Sequence, residues 1–125
     1  MAWVNFLWIG AGASLGACCR YLLTLAIPAT FPWATLAANV AGSLLIGMLI
    51  ALDFTPGRLS EGTKLMLVTG FCGSLTTFST FSSQTLALMQ SAKFFAAGLN
   101  IVLNLGVTLF AVWLGLRIGI RLFGQ

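Results

Sequence analysis

Between Lys64 and Lys93 the chain reads LMLVTGFCGSLTTFSTFSSQTLALMQSA, 28 residues without a charge. A helix needs only about 20 apolar residues to cross a bilayer, so the stretch is long for one straight span. Its middle is also a poor continuous helix. From Thr69 to Thr85 nine of 17 residues carry a hydroxyl, and Gly70 and Gly73 sit near them. Ser and Thr compete for backbone hydrogen bonds, and Gly lowers helix propensity. In lipid, backbone that leaves the helix survives only where protein or a wet cavity satisfies it. The stretch therefore predicts an all-α integral membrane protein whose third helix is broken in mid-membrane.

Working outward, charges and prolines divide the chain into four transmembrane helices. The expected spans are about 3–27, 33–52, 64–90 and 93–120, in a single four-helix transmembrane domain over 1–125. Pro28 and Pro32 mark a turn, and Asp53–Gly62, with Pro56, Gly57, Arg58 and Glu61, reads as the main surface loop. Gly10, Gly12, Ser14 and Gly16 give the first span a small face, and Ala38, Gly42, Ser43 and Gly47 give the second one another. Small residues four apart let helices approach closely in lipid. Cys18, Cys19 and Cys72 lie in apolar stretches and read as small hydrophobes. The first segment lacks a basic leader region and is long enough to stay as a span, so a cleaved signal is not expected.

Composition narrows the function. Hydrophobic residues make up 59% of the 125 and charged ones 6%, against about 25% charged in a soluble domain. Two acidic residues and no histidine exclude paired-carboxylate catalysis, His-based triads and most metal sites, so no enzyme is expected. The cations stand singly, so no nucleic-acid face forms. No phosphate-binding glycine loop is present, which removes nucleotide-driven pumping. Four crossings put Arg58, Lys64, Arg117 and Arg121 on one side, and Arg20 and Lys93 on the other. That weak bias mildly favours cytoplasmic termini and permits insertion both ways.

Polar side chains inside the spans are the functional candidates. Thr35 and Asn39 share one face of the second helix. Asn100, Asn104 and Thr108 form an i, i+4, i+8 stripe on the fourth. The third set is Ser74-Leu75-Thr76-Thr77-Phe78-Ser79-Thr80-Phe81. Asn and Thr can simply glue helices together, but three asparagines with a hydroxyl-rich break exceed what four helices need. None of these groups ionises, so passive conduction fits better than a proton-coupled relay. Amide and hydroxyl donors can replace water around an anion. Phe78 and Phe81 would add electropositive ring edges, or would only pack. Arg20 would concentrate anions at a pore mouth, or would snorkel to headgroups. Two rivals stay open: a small multidrug exporter, which wants an embedded glutamate, and a scaffold subunit held by its small-residue faces.

The run Gly70-Phe-Cys-Gly-Ser-Leu-Thr-Thr-Phe-Ser-Thr-Phe-Ser82 resembles the signature of the small bacterial fluoride channels, the Fluc or CrcB family. The stretch Gly12-Ala-Ser-Leu-Gly-Ala-Cys-Cys-Arg-Tyr21 is similar to that family's first helix, and Thr35-Leu-Ala-Ala-Asn39 to its second. The likeness covers essentially the whole chain. It implies a dual-topology protein, an antiparallel homodimer with two fluoride pores, giving passive fluoride export across the bacterial cytoplasmic (inner) membrane. Phe78, Phe81 and Asn39 match pore-lining positions, as do Thr35, Ser79, Thr80 and Thr108, and Arg20 matches a vestibule cation. Gly73 and Thr76 match positions whose backbone carbonyls hold a structural sodium ion at the dimer centre. Ser74 stands where many members have a second glycine, and Gln84 replaces a common acid. Asn100 and Asn104 replace Tyr, His or Ser, which keeps the stripe polar.

Overall fold

Apolar stretches this long have one way to satisfy their backbone in lipid, which is to hydrogen-bond to themselves as helices. The computed structural model describes residues 2–54 and 58–123 and shows no strand among them. Its helices are α1 (Ala2–Ala26), α2 (Trp33–Asp53), α3 (residues 61–75), α4 (Phe78–Gln90) and α5 (Phe94–Phe123). Trp3–Ala26, Trp33–Asp53, Glu61–Gln90 and Phe94–Phe123 are each long and apolar enough to cross a membrane. Pro56 and Gly57 of the expected surface loop lie outside the described residues. At that end of the molecule, Lys64 and Asp53 form an ion pair.

The helices pair by alternate crossings. α1 runs parallel to α3, and α2 runs parallel to α5. Glycine permits both close approaches. A methyl group on Gly12 would overlap the Met66 carbonyl, and one on Gly70 would come within 2.6 Å of the Ile9 carbonyl. In the second pair, methyl groups on Gly47 and Gly115 would overlap the carbonyls of Val112 and Leu44. Without side chains at these points, backbones meet directly, and dispersion replaces the hydrophobic effect that lipid does not supply.

α3 changes character along its length. Ser60 caps its start, its Oγ accepting from the Thr63 amide at 3.1 Å. From Leu65 to Cys72 the turns widen, and the Gly73 amide reaches the Val68 carbonyl five residues back. One normal turn follows. Thr76 then adopts ψ 153° and Thr77 φ −152°, ψ 114°, both extended. Helical geometry resumes at Phe78, where the Thr77 hydroxyl accepts from the Thr80 amide at 3.3 Å. A Thr at an N-cap does this routinely. The hydroxyls therefore start a new helix as well as weakening the old one.

The turn between α4 and α5 carries a local strain. Ala92 has φ 57°. Its amide donates to the Met89 carbonyl, and the Lys93 amide to the Leu88 carbonyl at 2.9 Å. These two bonds are the helix-ending pattern that normally has glycine at the left-handed position. Ala92→Gly relieves a Cβ contact and is expected to raise stability by about 1 kcal/mol. Equilibrium unfolding in detergent measures this, and an unchanged midpoint would contradict it.

Candidate functional site

The extended pair Thr76–Thr77 opens onto a groove of about 310 Å³ between α2, α3, α4 and α5. Asn39, Gly73, Thr76, Thr77, Phe78, Phe81, Asn104 and Thr108 line it, together with Gly42, Ser43, Cys72 and aliphatic side chains. No acidic or basic side chain reaches the wall. Phe78 and Phe81 stand at the helical spacing expected, with ring centroids 5.5 Å apart and planes tilted by 55°. They differ in setting: Phe81 is 7% exposed and Phe78 74%. Both rings also border a second groove, of about 370 Å³, lined by Ser82, Thr85, Leu86, Met89, Ile101 and Leu105. The pair thus borders both spaces.

Behind the rings runs a one-way chain of amides. The Thr77 amide donates to Asn39 Oδ1 at 2.8 Å. Asn39 Nδ2 donates to Asn104 Oδ1 at 2.9 Å. Asn104 Nδ2 donates to Asn100 Oδ1 at 2.9 Å and to the Asn100 carbonyl at 3.1 Å. Asn100 Nδ2 donates to Thr85 Oγ1 at 2.9 Å, and Thr85 to the Phe81 carbonyl at 2.8 Å. The chain ties α2, α4 and α5 together, and it ends on the backbone of the buried phenylalanine. Asn100 is fully buried and Asn104 is 4% exposed. Buried amides need partners, and every oxygen in this chain has one.

The remaining sequence candidates fall in different places. Thr108 faces the groove, and its hydroxyl donates back to the Asn104 carbonyl. Asn100 belongs to the amide chain and not to the groove wall. Thr35 is buried one turn before Asn39 but does not border the groove. Ser79 is exposed, and Thr80 lies with its Oγ1 3.0 Å from that of Thr77; both line the helix cap. Arg20, on α1, donates from Nε to the Ser74 carbonyl at 3.1 Å. Gly73 and Thr76 meet at the groove beside the interruption. Because the Thr77 amide turns to Asn39, it does not close the usual bond to the carbonyl of Gly73 four residues back. That frees the Gly73 carbonyl from its usual helical partner.

Three residues take roles that the sequence did not assign to them. Thr77 supplies both a cap and the amide that Asn39 holds. Thr85 ends the amide chain, and Ser74 is gripped by α1. Thr77 was legible as an N-cap ahead of Phe78; the other two depend on partners far away in the chain.

The sequence is similar to known proteins. Residues 7–116 match the model of the family described as CrcB-like protein, Camphor Resistance (CrcB). The chain belongs to the CrcB family. A relative from Paramagnetospirillum magneticum is 46% identical over 114 residues, covering 86% of this chain and 88% of its own. One from Shewanella sp. (strain ANA-3) is 44% identical, covering 89% and 92%. A third, from Methylocella silvestris, is 42% identical, covering 90% and 90%. Each relative is named a fluoride-specific ion channel, FluC. Together with the four long apolar helices, membership of this family makes the chain a multi-pass membrane protein.

The amide chain yields a stability test. Asn100→Leu keeps side-chain volume but removes the acceptor of Asn104 and the donor to Thr85. The expected cost is about 1–2 kcal/mol, the range for interhelical hydrogen bonds in lipid and for unmet buried groups. Unfolding in detergent reads it, and parent-like stability would show that the chain carries no load.

Proposed function

We propose that the chain is a fluoride-specific ion channel that lets cytoplasmic fluoride leave the cell passively, and not an enzyme. One observation carries the reading. Two phenylalanine rings line a groove together with asparagine and threonine side chains, and no charged side chain stands on its wall. Aromatic edges are electropositive, and threonine hydroxyls donate. Such a lining can replace the water around a small anion. With no cation on the wall, the ion is not held too tightly to leave. A multidrug exporter would need a carboxylate here, and the chain's acids, Asp53 and Glu61, stand exposed near the ends of α2 and α3.

In this reading Phe78, Phe81, Asn39, Asn104 and Thr108 border the ion's path. Thr35, Ser79, Thr80 and Asn100 support it, and Arg20 lies near the vestibule. The interruption at Thr76–Thr77 sits in mid-membrane. Two copies, inserted oppositely in the bacterial inner membrane, form an antiparallel homodimer with two pores. The Gly73 and Thr76 carbonyls, with their symmetry mates, would hold a structural sodium ion at its centre. That ion supplies positive charge near both pores. Fluoride reaches the cytoplasm as neutral hydrogen fluoride and ionises there, so a passive pore suffices for export.

Liposomes holding only this protein should release fluoride when a potassium gradient drives it, and should retain chloride. Phe78→Ile and Phe81→Ile keep apolar volume but lose the ring edge. Each is expected to lower fluoride flux at least about tenfold, as loss of roughly 1.4 kcal/mol of ion stabilisation would, with the assembly intact on gel filtration. Parent-like flux in both variants would reduce the rings to packing.

Orientation is tested separately. Reporter tags on the C-terminus are expected on both membrane faces, because four cations oppose two. Two added lysines beside Arg58 should fix one orientation and abolish flux until an oppositely fixed copy is supplied. Tags confined to one face in the parent would exclude the antiparallel pair.

A further inference from the structure

We propose that Arg20 is a positioning residue: its guanidinium caps the carbonyl end of α3 and clamps the interruption at Thr76–Thr77 to α1. The inference rests on the channel reading only for its effect on flux. Where α3 stops, its last carbonyls lose their helical partners, and the end carries partial negative charge. Ser74 presents one of these carbonyls. Arg20, 54 residues earlier, donates to it from Nε at 3.1 Å. The same serine is held a second time, its hydroxyl donating to the Ala13 carbonyl at 2.8 Å.

The pattern on α1 explains how a long cation gets there. Gly12, Gly16 and Arg20 recur every four residues, so they share one face. A methyl group on Gly12 would overlap the Met66 carbonyl, and one on Gly16 would overlap the Phe71 carbonyl and the Ser74 hydroxyl. The two glycines bring the α1 and α3 backbones together, and one turn later the arginine reaches over the point where α3 ends. Arg20 is half-buried. The ion pair found among the described residues, Lys64–Asp53, lies at the opposite end of α1 and α3. Among the described residues, the Ser74 carbonyl is the hydrogen-bond partner of the guanidinium. A mouth charge needs only a cation in the right region; this cap is made by Nε, where lysine carries a methylene.

Arg20→Lys separates these roles. Hydrogen–deuterium exchange on the purified assembly should show residues 76–78 exchanging about tenfold faster, the factor that one charge-assisted hydrogen bond sustains. Maximum fluoride flux should fall while the fluoride concentration for half-maximal flux stays unchanged. Parent-like exchange overturns the cap. So does parent-like flux, which is what a mouth charge, kept by the lysine, gives. If Arg20→Lys does not fold, the parent's Ser74 carbonyl, labelled with carbon-13 and oxygen-18, reports directly. An infrared frequency shifted down from that of the similarly labelled Leu75 carbonyl supports the cap, and no shift overturns it. A parent that passes no fluoride but shows the exchange effect would remove the channel reading and leave the cap standing.

Discussion

A main chain that leaves helical geometry within an apolar segment strands its own donors and acceptors, and the molecule is arranged around meeting that demand at Thr76 and Thr77. Several of the exposed groups there find partners. The Thr77 amide has Asn39, the Ser74 carbonyl has Arg20, and the Cys72 carbonyl accepts from both the Thr76 amide and the Thr76 hydroxyl. The Thr80 amide has the Thr77 hydroxyl. Any one of these left bare in lipid would cost several kcal/mol. Two of the satisfying residues come from helices that enclose α3, so the interruption and the packing of α1 and α2 stand or fall together.

The parallel pairing of alternate helices makes those donors available. α1 brings Arg20 and the Ala13 carbonyl to one side of the interruption. α2 brings Asn39 to the other, and α5, riding on α2, continues the polar contact through Asn104 and Asn100 to Thr85. The result joins backbone geometry to the groove. Asn39 holds the Thr77 amide with its oxygen and Asn104 with its nitrogen. The residue that shapes the interruption therefore also sets the position of the amide wall. Phe81 is fastened at the far end of the chain by the bond from Thr85 to its carbonyl, whereas Phe78 projects outward, 74% exposed in the single chain.

The widened turns of Leu65–Cys72 carry a further consequence. Five-residue hydrogen bonding shifts the face that α3 presents, and such segments recur at functional sites. Here the widening lies just before Gly73 and the interruption, so the carbonyl end of α3 arrives at the groove rather than against lipid.

Much of this was legible in one dimension. The 28 uncharged residues after Lys64, the hydroxyls from Thr69 to Thr85 and the prolines at 28 and 32 mark four crossings and a weak point in the third. The i, i+4, i+8 spacing of Asn100, Asn104 and Thr108 places them on one face. These are properties of short segments, decided by apolar transfer and local backbone competition. The partners were not legible. Asn39 meets Thr77 across 38 positions, Arg20 meets Ser74 across 54, and Asn39 meets Asn104 across 65. Nothing local distinguishes an asparagine that faces a groove from one that, like Asn100, is sealed within a hydrogen-bond chain. That choice belongs to the tertiary structure, because a buried amide takes whichever partner the close approach of glycine-bearing helices brings within 3 Å or so, and the approach exists only when the helices pack.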